Sequence, residues 1–169
     1  LTQAQLGALT SGQVAAMDTV DVAQLTSAQI RFLGNAALTG LTTAQVNNLT
    51  TAQVAALTAD QLKVLSSNQV VALSTAQAAV LTSVQVAGLT PDQVKAMQTE
   101  DVAALANSAV NALNASQVKS LTTAQVEGLS TTQAAGLNKN FAAALTSAQL
   151  KAMETGDLAK LSTSALQAM

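Results

Sequence analysis

The sequence has no cysteine, histidine, tryptophan or tyrosine, one proline and two phenylalanines. Without cysteine there is no disulfide framework, no thiolate nucleophile and no thiolate metal ligand; without histidine the commonest general base and the imidazole ligand are missing too. Most enzyme templates fall with them. Two aromatics, Phe32 and Phe141, are too few for a platform that stacks sugars or bases. Charge is sparse as well: 9% of residues are charged, the formal net charge is -2, and the seven basic residues are scattered. No basic face is available to neutralise nucleic-acid phosphates or an anionic membrane. No apolar run approaches the ~18 residues of a membrane span, and the first residues lack the order of a signal peptide.

What is present is apolar and repetitive. A chain of 169 residues, 49% of them hydrophobic, is long and apolar enough to bury a core, and a single repeat domain over 1–169 is expected. From Leu1, every eighth residue to Met169 is Leu or Met, with no break in register. The sixth position of each octad is Val, Leu or Ile except at Ala78, Ala134 and Ala142. The consensus is L-T-x-x-Q-V-x-A.

This period fits neither a long helix nor a strand. Eight residues advance a helical face by about 80°, so the apolar stripe would wind around the surface. In a strand, positions one and six would point to opposite faces. A helix that restarts every eight residues satisfies the pattern. Position two is Ser, Thr, Asn, Asp or Gly in 18 of 21 octads, the set that suits an N-cap, and position five is Gln in 14 and Asp in three. T-x-x-Q therefore reads as a capping box, and Leu at position one with Val at position six reads as the hydrophobic staple around it. Pro91 follows Thr90 and occupies position three, the first helical residue, where a missing N–H costs nothing.

Each octad thus encodes a helix of about six residues, far too short to be stable alone, so the helices stabilise one another by stacking. The predicted fold is all-α: an α-solenoid, a superhelix of very short capped helices with one helix per octad and Leu and Val along its axis. About three or four octads per coil are expected, though near-identical octads carry no longer period. Position seven, with Arg31, Lys63, Lys95, Lys119 and Lys151, faces water, and small residues at position eight let helices approach. Val80 and Phe141 lie next to Ala78 and Ala142 and are expected to fill the gaps those alanines leave. Because the chain starts and stops on anchor residues, about 21 octads read as a fragment of a longer array whose ends could associate with one another.

Three octads depart together: "MDTVDVAQ", "MQTEDVAA" and "METGDLAK". They hold Asp18, Asp21, Glu100, Asp101, Glu154 and Asp157, six of the nine acidic residues. Oxygen ligands for a hard cation such as calcium are one reading. The better reading is an alternative cap, since Asp at N3 suits a helix N-terminus and no glycine-containing ligand loop accompanies it. The threonine column is likewise assigned to N-caps rather than to an ice- or water-ordering face. No residue is singled out as catalytic, cofactor-binding or metal-ligating, and no enzyme activity is expected.

The words "LTTAQV", "LTSAQL" and "LSTTQA" resemble the short L-T-x-x-Q-V repeat tracts of very large bacterial secreted or cell-surface proteins, over the whole chain. The resemblance implies an extracellular or bacterial cell-surface array that serves as stalk, spacer or adhesin-like display scaffold. A protein- or glycan-binding solenoid of an adhesin is the alternative. Neighbouring repeats are the expected partners, with a protein or glycan ligand unspecified, and neither nucleic acid nor membrane insertion is expected.

Overall fold

A computed structural model describes residues 1–153, 155–159 and 161–169, with backbone alone at 155, 156 and 164. Among these residues there are no strands, and 21 helices run from α1 (Gln3–Gly7) to α21 (Thr163–Leu166), one in each octad and four to six residues long. None is long and apolar enough to cross a membrane.

The local cause is the one read from the sequence. All fourteen position-five glutamines close a capping box with the residue three before them. At α7 (Thr51–Ala56) the Gln53 N–H donates to Thr50 Oγ1 at 3.2 Å, and the Thr50 N–H donates to Gln53 Oε1 at 2.7 Å. Pro91 opens α12 (Pro91–Ala96) directly after its cap, Thr90.

Each helix ends as economically as it begins. The Leu57 N–H donates to Val54 O at 3.2 Å, a tightened last turn, and Leu57 then leaves the helix at φ -59, ψ 141. The next cap, Thr58, is also extended at φ -77, ψ 161. Two extended residues therefore make the corner, and no described residue has positive φ. The chain turns without the left-handed C-cap that usually requires glycine.

The corners coil the chain so that each helix packs on the helix three octads away: α2 (Ser11–Ala15) on α5 (Asn35–Gly40), α8 (Ala59–Lys63) on α11 (Ser83–Gly88), α16 (Thr123–Glu127) on α19 (Ser147–Ala152). Contacts between coils recur at offsets of 25 to 31 residues, centred on 28, from Asn47 with Ala72 to Gln77 with Val46. A coil therefore holds about three and a half octads, between the two values expected, and each helix lies across the corner of the coil beneath. The core runs along the axis. Position-six side chains such as Val54, Leu62 and Val86 are fully buried, and position-one leucines such as Leu57 and Leu89 are nearly so. Arg31, Lys63, Lys95, Lys119 and Lys151 are all exposed, as expected for position seven.

Position eight lies against the coil beneath rather than in the core, and it sets the coil spacing. A Cβ on Gly40 would come within 2.4 Å of the Ser11 backbone, and one on Gly88 within 2.7 Å of Ala59 Cβ. A Cβ on Gly12, at position four, would meet nothing within 4 Å. Gly40→Ala is accordingly expected to destabilise the protein by about 1–3 kcal/mol through overpacking. Gly12→Ala, within a helix and unopposed, is expected to stabilise by up to about 1 kcal/mol. Urea denaturation of both variants checks the pair, and equal effects would show that position eight does not control the spacing. The same geometry corrects one expectation. Phe141 is fully buried beside Ala142, but Val80 is 37% exposed and does not fill the space at Ala78, because position eight points to the rim.

Candidate functional site

The most regular polar feature lies between coils. From Gln45 onward, every position-five glutamine is buried. A buried primary amide must place both its oxygen and its N–H groups. The oxygen is used in the capping box. The amide nitrogen reaches into the coil beneath and donates to two backbone carbonyls, 31 and 28 residues earlier. Gln85 Nε2 lies 3.0 Å from Val54 O and 2.7 Å from Leu57 O; for Gln125 the distances are 3.0 Å to Val94 O and 2.6 Å to Met97 O. The same pair of bonds recurs up to Gln149, which donates to Val118 O at 2.7 Å and Leu121 O at 2.8 Å.

The second of these carbonyls, such as Leu57 O, is one that a short helix leaves without a backbone donor at its corner, while the first, such as Val54 O, already accepts the Leu57 N–H and takes the amide as a second donor. One glutamine thus starts its own helix and finishes another, one coil away. Glutamate closes a capping box as well as glutamine does, but it has no N–H to donate. The sequence signal for this second role was the choice at position five: fourteen glutamines and not one glutamate. The reading of Gln as a cap alone missed it.

Where glutamine is absent, other polar groups tie the coils. At α18 (Lys139–Ala144) Phe141 fills the glutamine place, and the bonds move to the rim. Asn111 Nδ2 donates to Gly136 O at 2.8 Å, the Asn138 N–H donates to Asn111 Oδ1 at 2.7 Å, and Asn138 Nδ2 donates to Asn111 O at 3.1 Å. A cleft of about 560 Å³ opens beside this junction, lined by Asn111, Asn114, Lys119 and Asn140 with leucine and alanine between them.

The Met/Asp octads are different again. Asp21 is exposed in the first coil, Asp157 is buried, and Glu154 lies outside the described residues. No three acidic side chains come together among the described residues, so the calcium reading has no cluster to rest on. At α13 (Thr99–Ala104) Asp101 is 1% exposed, and its Oδ2 has no hydrogen-bond partner. Burial pushes its carboxyl above the usual carboxylate range. Glu100 adds to the rise, and hydrogen bonds from the Thr75 side chain and the Gln98 backbone oppose it. The expected alternative cap is therefore half present. Gln98 makes no side-chain cap, and its Nε2 instead donates to Val71 O of the coil beneath at 3.1 Å.

An all-helical chain of similar short units, each stacked on neighbours at a fixed sequence offset, is a tandem-repeat solenoid protein. Six overlapping matches to the ALTTAQ repeat together span residues 14–131, and the chain belongs to that repeat family. Comparison with curated proteins gave no match.

Proposed function

We propose that this solenoid is a non-enzymatic structural array: a stalk, spacer or display scaffold in a large bacterial secreted or cell-surface protein. The supporting observation is the glutamine bond between coils that recurs in eleven octads from Gln45 to Gln149, interrupted at Asp101, Ala109 and Phe141, which makes most added octads mechanically equivalent to the last. Work of that kind needs length and uniform stiffness rather than a reactive centre. The wording of its repeats, like that of surface-protein tracts, supports the location.

Pulling on the two ends in an optical trap tests this. Coils rise by roughly 8–10 Å where helices pack, whereas 28 residues of extended chain span up to about 95 Å. The expected trace is a reversible series of short lengthening steps as octads leave the ends one after another. A single cooperative rip that fails to recover on relaxation would rule out a compliant spacer.

The cleft beside Phe141 favours the second reading, a protein- or glycan-binding solenoid. Its free Lys119 and Asn140 side chains face an opening large enough for a small polar ligand. Saturable binding on a glycan array that Lys119→Glu abolishes would replace the scaffold reading with this one.

A further inference from the structure

The Asp101 junction goes beyond a passive array. Asp101 occupies the glutamine position of its octad, so the carbonyls 31 and 28 residues earlier, those of Val70 and Leu73, are the ones its side chain meets by register. Eleven octads before and after it show what belongs there: an amide nitrogen 2.6–3.2 Å from both oxygens, as in Gln93 over Leu62 and Leu65 or Gln133 over Val102 and Leu105. Asp101 is one methylene shorter and, when ionised, can only accept. Its Oδ2 is buried and unpartnered, so the ionised form would hold a negative oxygen out of water with no donor on it. Gln98 relieves part of the shortage by donating to Val71 O, between the two.

We propose that Asp101 is a proton-operated version of the glutamine bond: protonated, its carboxyl donates to the coil beneath and holds the junction closed; ionised, it repels the same carbonyls and loosens that junction alone. The proton adds to Oδ2, the atom without a partner, and no other bond is made or broken covalently.

The surroundings leave Asp101 as the group that responds. Beneath it, α10 (Thr75–Ala79) and the preceding corner carry no ionisable side chain. Above it, α16 contributes only Glu127, at an exposed position. Along the chain, α12 carries Asp92 and Lys95, both exposed, and α14 (Asn107–Val110) carries none. Glu100, on α13 itself, is the one charge that acts on Asp101, and it favours the neutral form. Folding therefore raises the proton affinity of Asp101, and the sign follows. Protons are held more tightly by the folded state, so stability falls as pH rises from the ordinary aspartate range through the raised value, and is lower above it.

Hydrogen exchange read by mass spectrometry on the 169-residue chain tests the proposal. Between about pH 5 and about pH 8, and after correction for intrinsic exchange, protection of amides 70–76 and 99–105 is expected to fall about tenfold, some 1.4 kcal/mol. Distant junctions, such as that of Gln53, are expected to change far less. Asp101→Gln restores the repeat's own residue and is expected to stay protected across the range; Asp101→Asn, neutral but short, is expected to lose the pH dependence as well. The proposal is overturned if Asp101→Gln keeps the wild-type pH dependence, or if the Asp101 carboxyl carbon titrates within the ordinary aspartate range by NMR. It is also overturned if calcium or sodium at constant ionic strength restores protection at neutral pH, since a cation rather than a proton would then fill the space.

Discussion

Gln85→Glu is expected to destabilise the solenoid more than Gln85→Ala, although glutamate closes a capping box as well as glutamine does. Alanine removes the capping return, leaves the Leu57 carbonyl without a donor and takes the second donor from Val54 O, which keeps the Leu57 N–H, a loss of about 2–4 kcal/mol in total. Glutamate keeps the return to the Thr82 N–H but aims a buried negative oxygen at the same two carbonyls. An uncompensated buried charge costs about 3–5 kcal/mol. The penalty of the glutamate variant should recede on acidification, as the new carboxyl takes up a proton and can donate, while the alanine variant shows no such recovery. Urea denaturation at neutral and acid pH separates the two. If glutamate proves as good as glutamine at neutral pH, the capping box alone explains position five, and the bond between coils contributes nothing.

The second large effect concerns register. Removing one whole octad, residues 41–48, is expected to leave a folded solenoid one unit shorter. Gln53, Gln61 and Gln69 would then find, 31 and 28 residues back along the shortened chain, carbonyls of the same two octad positions as before. Removing half as much, residues 47–50, shifts those three glutamines onto the wrong carbonyls and rotates Leu and Val out of the core. Three displaced glutamines, each losing its pair of bonds at about 1–3 kcal/mol per glutamine, come to much of the stability of an ordinary domain. Circular dichroism melting should show the eight-residue deletion close to the parent and the four-residue deletion far below it. The reverse order would mean that the coils are not registered by sequence offset.

Much of this architecture was legible because the same short-range capping chemistry recurs in fourteen octads. T-x-x-Q, the Leu/Val staple and the place of Pro91 each refer to neighbours within one octad, and local hydrogen bonds decide them. What lay between coils was harder to read. Octads that are nearly alike give no signal at 28 residues, so the coil content stood only as about three or four. The second bond of glutamine was written in the exclusion of glutamate, a pattern of what is missing at one column. Val80 was misread because its position was judged by the neighbour Ala78 in sequence, whereas coil packing turns that column toward the rim. Asp101 looked like a cap from its own octad; only the coil beneath reveals that its second oxygen faces no donor.

A coil of three and a half octads also sets what an outside partner would meet. Two coils hold seven octads, so a side chain returns to the same side of the rod only after 56 residues. At about that separation stand Lys63 and Lys119, and Lys95 and Lys151, all four exposed. A repeat of eight in the sequence becomes, on the outer wall, a lattice whose like points stand two storeys apart. Longer versions of such a chain could carry identical charges at wide, regular intervals along one side of the rod.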